Sequence, residues 1–255
     1  MSNLPASPSA RWRRILQKLS LRFRIAAQVL VSLEDYYPRS RLKMSYAQDG
    51  EDLIAWRLLN NLGISHVRYL DIGAHDPKYL SNTALFHLFG GYGMNIEPDP
   101  RCHAAFVRQR PRDINLNIGI GPVAGTLNFH RMADASLSTF SSTEADRLTD
   151  EQGAKVADVL PVRVATIRDV LEEHRFRPDF LTLDVEGIEM SILHSYDWKR
   201  HRPGVVCVET VSYSRSGGQQ RDPAPGEWLQ SVGYAPAAVT LANSLFVDWK
   251  YRRQS

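Results

Sequence analysis

Tyr69-Leu70-Asp71-Ile72-Gly73-Ala74-His75-Asp76-Pro77, followed by Tyr92-Gly93-Met94-Asn95-Ile96-Glu97, decides how this chain is read. The first apolar run predicts a short buried strand that delivers Asp71 to a loop. Gly73 lets the backbone there approach a ligand closely. The second run predicts the next strand, closing in Glu97, 26 residues after Asp71. In open α/β sheets, ligands sit beyond the carboxyl ends of the strands, and an acid at the second strand end accepts hydrogen bonds from ribose hydroxyls. A dinucleotide loop would carry G-x-G-x-x-G. Here Gly73 is followed by Ala74-His75-Asp76-Pro77-Lys78, with no second or third glycine, so no tight pyrophosphate turn is encoded. The pattern suits a nucleoside without a pyrophosphate, such as S-adenosylmethionine.

The flanking segments alternate helix and strand. Ser45 or Asp49 can begin a helix carrying Leu53, Ile54, Leu58, Leu59 and Leu62, stopped by Gly63. A strand over 66–71, a helix over 83–89, a strand over 92–96, a helix over 101–108 and a strand over 114–118 follow. Residues 125–164 read as a hairpin-like insertion with a polar middle, in which Leu137-Ser138-Thr139-Phe140-Ser141 is expected to line the mouth of the site and set acceptor choice. Then come a helix over 166–174, strands over 179–184 and 204–209 around a helix over 188–195, and two strands within 234–249 split by Asn243. This order predicts an α/β fold with a parallel sheet covered on both faces and an antiparallel final pair. Asp71, Glu97, Asp184 and Glu209 each close a predicted strand. Burying four acids for packing alone would cost desolvation at each, so function is the better reading.

Phe180-Leu181-Thr182-Leu183-Asp184-Val185-Glu186-Gly187-Ile188-Glu189 forms a second candidate site. Asp184 and Glu186 are two residues apart and would face one side of a continuing strand. Such a pair can raise one pKa to supply a general base, or hold a divalent cation. Glu186 can equally favour the start of the following helix. His75, in the first loop, can position substrate or move a proton. Ser45-Tyr46-Ala47-Gln48-Asp49-Gly50-Glu51-Asp52 reads first as a helix start. The eight histidines form no H-x-x-x-H or H-E-x-x-H pattern, so no zinc site is expected. G-x-x-x-x-G-K-[ST] and G-x-S-x-G are absent, which removes the NTPase and serine-hydrolase readings.

The 255 residues are 43% apolar and 23% charged, enough for a substantial core. Two cysteines, Cys102 and Cys207, rule out a disulfide scaffold and suit reduced packing residues in a cytoplasmic protein. The net charge of +3 is unevenly spread. Residues 1–44 hold nine basic and two acidic residues; the remainder holds 22 basic and 26 acidic. A mildly acidic body disfavours nucleic acid. No apolar run is long enough to span a membrane, and the front end lacks the apolar block and cleavage site of a secretory signal. Over residues 11–33, Trp12, Ile15, Leu16, Leu19, Phe23, Ala26, Leu30 and Leu33 form an apolar stripe beside Arg13, Arg14, Lys18 and Arg22. This basic amphipathic helix either packs on the body, packs on a second copy in a homo-oligomer, or lies peripherally on the inner face of a membrane.

Together these segments resemble the FkbM family of S-adenosylmethionine-dependent methyltransferases. The matching pieces include Tyr46-Ala47-Gln48-Asp49-Gly50-Glu51-Asp52-Leu53, Leu70 to Lys78, Ser81-Asn82-Thr83, Asn95-Ile96-Glu97-Pro98-Asp99-Pro100, Asp184 to Glu189, Asp197-Trp198 and Arg202-Pro203. They span roughly residues 45–250, which leaves a basic arm over 1–44 outside the match. The resemblance implies a class I, Rossmann-like seven-stranded sheet with an antiparallel last strand, and O-methylation of a sugar, polysaccharide or polyketide hydroxyl. It places the cofactor at Asp71, Gly73 and Ala74, with Glu97 on the ribose beside Pro98, and it adds Gln48, Glu51 and Asn82. Asp184 is then the expected base, with Glu186, Glu209 or His75 assisting. A variant with Mg²⁺ on Asp184 and Glu209 would lower the hydroxyl pKa instead. The expected partner is a sugar or glycan acceptor, lipid-linked if the arm reaches a membrane. Two rival readings are a nicotinamide-dependent sugar oxidoreductase and a non-catalytic membrane-surface binding protein.

Overall fold

The computed structural model describes residues 44–185, 187–213 and 219–252. The amphipathic helix expected over 11–33, and Glu186, lie outside the described residues.

The central element is a seven-stranded sheet. Its members are β1 (Arg68–Ile72), β2 (Tyr92–Ile96), β3 (Ile114–Leu116), β7 (Phe180–Leu183), β8 (Val205–Glu209), β11 (Ala235–Val239) and β12 (Asn243–Val247). Their order is β11-β12-β8-β7-β1-β2-β3. The strands from β8 to β3 are parallel, and β12 runs antiparallel to both neighbours. The final strand is therefore inserted between β8 and β11.

The strands are near-continuous apolar runs because both faces are covered. Alternate residues serve alternate faces. Leu70, Leu181, Val206 and Phe246 join one core with Ile167 and Val170 of α5 (Ile167–Glu173), Ile192 of α6 (Glu189–Ser195) and Leu229 of α7 (Ala224–Ser231). Tyr69, Phe180, Val205 and Leu245 join the other with Ala55 and Leu59 of α1 (Glu51–Asn61) and Phe86 of α2 (Ala84–Leu88).

The helix expected from Ser45 or Asp49 begins at Glu51, after Gly50 in a left-handed conformation. Asp52 instead reaches back, accepting from Ser45 Oγ at 2.6 Å and Tyr46 N–H at 2.8 Å. The strand expected over 114–118 stops at Leu116. There the Asn117 amide donates to the carbonyls of Glu97 and Pro98 at 2.8 and 2.9 Å, turning the chain away. Between β2 and β3 runs α3 (Pro100–Gln109), capped by the Asp99 carboxylate.

The insertion forms a second sheet. Antiparallel β5 (Gly125–Met132) and β6 (Val156–Ala165) pair, and β4 (Gly119–Ile120) lies parallel to β6. Its polar middle holds a 3₁₀ turn, Ala135–Leu137, and α4 (Ser142–Gln152), capped by Ser141. Two further elements carry weak sequence signals: α7 and the hairpin of β9 (Val211–Tyr213) and β10 (Gln219–Arg221). Pro225 stands in the first turn of α7, where proline is tolerated because those N–H groups have no intrahelical partner. Among the described residues, no helix is long and apolar enough to cross a membrane.

Candidate active site

The carboxyl ends of β1, β2, β7 and β8 open into one cavity of about 290 Å³. Asp71, Glu97, Asp184 and Glu209 all line it. Gln48, Gly73, Ala74, His75, Asn82 and Pro98 are there too. Among the described residues, no arginine or lysine lines it.

Asp71 is buried and accepts from Thr83 Oγ1 at 2.6 Å. Burial pushes its carboxyl up to about 6, while Thr83 and Arg110 pull the other way. Glu97 is clamped by the backbone: its two oxygens accept from His75 N–H and Asp99 N–H, each at 2.7 Å. Those bonds favour the charged form, but burial outweighs them and raises the carboxyl to about 8.

Asp184 follows β7, and its N–H bonds the Ile72 carbonyl at 3.1 Å. Its side chain is hydrogen-bonded to Glu209. Burial, with Glu189 and Asp71 nearby, raises its pKa against that bond. Glu189 closes the loop by accepting from Val185 N–H at 3.1 Å and from Gly187 N–H. His75 holds a left-handed backbone, φ 52°, and burial lowers its imidazole pKa, which favours the neutral ring. Asn82 donates to Thr182 Oγ1 at 3.0 Å, fixing the end of the first loop to β7.

The close approach at Gly73 differs from the expected one. Its φ is 80°, and an added Cβ would lie 1.7 Å from the Asp184 carbonyl oxygen. Glycine is required because the β7 loop passes against it, so the residue couples the two strand ends as well as lining the cavity.

Glu51 does not line the cavity. It is fully buried behind it, accepting from Thr240 Oγ1 at 2.6 Å, Asn243 Nδ2 at 3.1 Å and Asp49 N–H at 2.8 Å. Asn243 does line it, with its buried Oδ1 unpartnered by any described residue. That acceptor was not singled out by any sequence pattern. Nor was Arg110, which lies behind the first loop and is 1% exposed. Arg110 donates to Thr83 Oγ1 at 2.8 Å, Ser81 Oγ at 2.9 Å, Asn95 Oδ1 at 3.3 Å and the Pro77 carbonyl. Residues 135–140 of the insertion form another wall, where Ser136, Ser138, Thr139 and Phe140 line the cavity together with Phe129. Among the described residues, no group of three or more His, Cys, Asp or Glu is placed to hold a metal ion.

The strand-end acids make stability pH-dependent. A carboxyl whose pKa is raised by folding holds its proton in the native state while the unfolded chain has lost it. Stability then falls as pH rises through the native pKa. His75, His87 and His201, all lowered by burial, act oppositely but only below about pH 6.5. Between about pH 7 and 8.5 the unliganded protein should lose about 1 kcal/mol, mostly through Glu97. Urea midpoints across that window check this; Glu97→Gln should flatten the slope.

An open, mostly parallel sheet with an inserted antiparallel last strand, and a ligand cavity at its carboxyl edge, defines a Rossmann-like methyltransferase fold. The family model described as the methyltransferase FkbM domain matches residues 71–235, and the chain belongs to that family. Solved structures with similar folds include the methyltransferase FkbM from Methylobacillus flagellatus, at 13% identity and TM-score 0.43, covering 94% of this chain and 58% of that one. This chain therefore spans little more than half of that protein. A TehB-like SAM-dependent methyltransferase from Corynebacterium glutamicum (13% identity, TM-score 0.38) covers 87% of this chain and 95% of its own. A precorrin-6y C5,15-methyltransferase from Geobacter metallireducens (12% identity, TM-score 0.38) covers 82% and 92%. No curated protein sequence matches the chain.

Proposed function

We propose that this protein transfers the methyl group of S-adenosylmethionine to a hydroxyl of a sugar or related glycan. The observation that carries the cofactor is the polarity of the cavity: four acidic side chains and, among the described residues, no arginine or lysine. That lining favours a sulfonium cation and repels a pyrophosphate, which weighs against a nicotinamide dinucleotide. Glu97 is the residue to take the ribose hydroxyls, Gln48 and Asn243 offer further polar contacts, and Ile118 and Ile120 add apolar wall.

Bound there, S-adenosylmethionine supplies an electrophilic methyl group. The chain must align the acceptor and accept its proton. Asp184 suits the second task. It stands at a strand end inside the cavity, paired with Glu209, with its pKa moved from the ordinary carboxylate range toward neutrality. Neutral His75 can accept a hydrogen bond from the same acceptor. The hydroxyls of Ser136, Ser138 and Thr139 and the strand-end carboxylates supply partners for a polyhydroxylated ligand.

Calorimetric titration with S-adenosylmethionine, S-adenosylhomocysteine and NAD tests the cofactor. The first two should bind, and Glu97→Ala should weaken them about tenfold or more. Binding of NAD alone would overturn the proposal. With labelled methyl donor and a panel of sugars, the label should appear as an alkali-stable ether; an ester or an N-methyl product would reject hydroxyl transfer.

A further inference from the structure

We propose that the amino-terminal edge of the sheet carries a second binding site, which takes a phosphate group. The cavity there measures about 170 Å³, against roughly 30 Å³ per water in the liquid, so a phosphate or diphosphate has room. It lies between the starts of β1, β7 and β8 and the end of β12, where Arg68, Pro178, Arg202 and Asp248 line it. The length of β1 separates it from the methyl-transfer cavity, about 13 Å at strand rise.

Seven of its eleven lining residues are arginine or lysine, and one is acidic. This concentration stands out in a body with more acidic than basic residues. Some of that charge is matched. Arg68 pairs with Asp179 at 3.0 Å, Arg202 with Asp248 at 2.6 Å, and Arg200 with Glu172 at 2.5 Å. Among the described residues no ion pair engages Lys199, Lys250 or Arg252, so a positive surplus remains.

The matched arginines are held in place. Asp179 is fully buried and also accepts from Arg68 N–H at 2.9 Å and Tyr251 Oη at 2.7 Å. The Arg202 guanidinium lies 4.3 Å from the Tyr234 ring centre and donates to the Val232 carbonyl. Cations fixed this way lose little freedom when an anion arrives.

His201 supplies the independent observation. It lines the same cavity and is 5% exposed, yet neither ring nitrogen has a hydrogen-bond partner among the described residues. A buried polar group left without a partner is unfavourable, and a ligand that accepts from its N–H would remove that cost. A phosphate oxygen can accept from the imidazole while the surrounding cations neutralise its charge.

The test uses the full chain and inorganic pyrophosphate. Calorimetry should show one saturable site, weakened about tenfold or more in Lys199→Ala/Lys250→Ala. Both lysines are exposed, so the melting temperature and S-adenosylhomocysteine binding should not change. With ¹⁵N-labelled histidine, the ring nitrogens of His201 should shift on titration and those of His75 should not. Absence of saturation at millimolar pyrophosphate, equal binding by the double variant, or a shift at His75 in place of His201 would overturn the proposal. Flotation with phosphatidylcholine vesicles containing phosphatidic acid separates the source of the phosphate. Loss of flotation in the double variant supports a lipid headgroup; unchanged flotation with lost pyrophosphate binding supports a free phosphorylated ligand.

Discussion

Arg110→Ala should destabilise the protein by about 3–5 kcal/mol, read as a fall in the urea midpoint. Among the described residues, Arg110 binds no carboxylate directly. Its guanidinium ties the loop after β1, through Pro77, Ser81 and Thr83, to Asn95 on β2. It also packs against the Phe106 and Tyr69 rings, 5.1 and 5.9 Å from their centres. Removing it strands several buried acceptors and opens a void at once. The loss reaches the site, because Thr83 bridges Arg110 to Asp71, and Arg110 lowers the Asp71 pKa. Arg110→Lys should recover only part of the stability, since one ammonium cannot reproduce a planar fork serving four acceptors. A loss below about 1 kcal/mol in Arg110→Ala would show that the loop is held by other contacts.

Asp184→Asn should lower turnover by about 10²- to 10⁴-fold and leave S-adenosylhomocysteine affinity within a few-fold. The amide keeps the shape and can still bond Glu209, but it cannot take a proton. In the unsubstituted enzyme, kcat/KM should rise with pH as Asp184 ionises, because the base works only when deprotonated. Its raised pKa moves that rise above the ordinary carboxylate range, and in Asp184→Asn this limb should disappear. Turnover retained in Asp184→Asn would sink the assignment; loss of cofactor affinity in parallel would make Asp184 a binding residue instead.

The strands were legible because parallel strands buried on both faces must be apolar throughout, and their ends are marked where that requirement stops. Asp71, Glu97, Asp184 and Glu209 are conspicuous for this reason, and ligands gather at those strand ends. Within the insertion the expected mouth segment, Leu137 to Ser141, was legible only in part: residues 135–140 carry no strong periodicity, and it is the β5–β6 pair that brings Ala135 to Phe140 over the cavity. The helix α7 opens on Pro225 and Gly226, residues of turn character that a first helical turn accommodates.

Periodicity and motif spacing report which way a residue faces along its own segment, so they were enough for the fold class and for the acids at the strand ends. They carry no information on which distant residue will stand opposite. Arg110 meets Pro77 across 33 residues and Glu51 meets Asn243 across 192; packing alone makes those partners. Gly73 shows both sides. Its loop position called for a residue tolerant of left-handed backbone and close approach, but the nearby group is the Asp184 carbonyl, brought there by the pairing of β1 with β7.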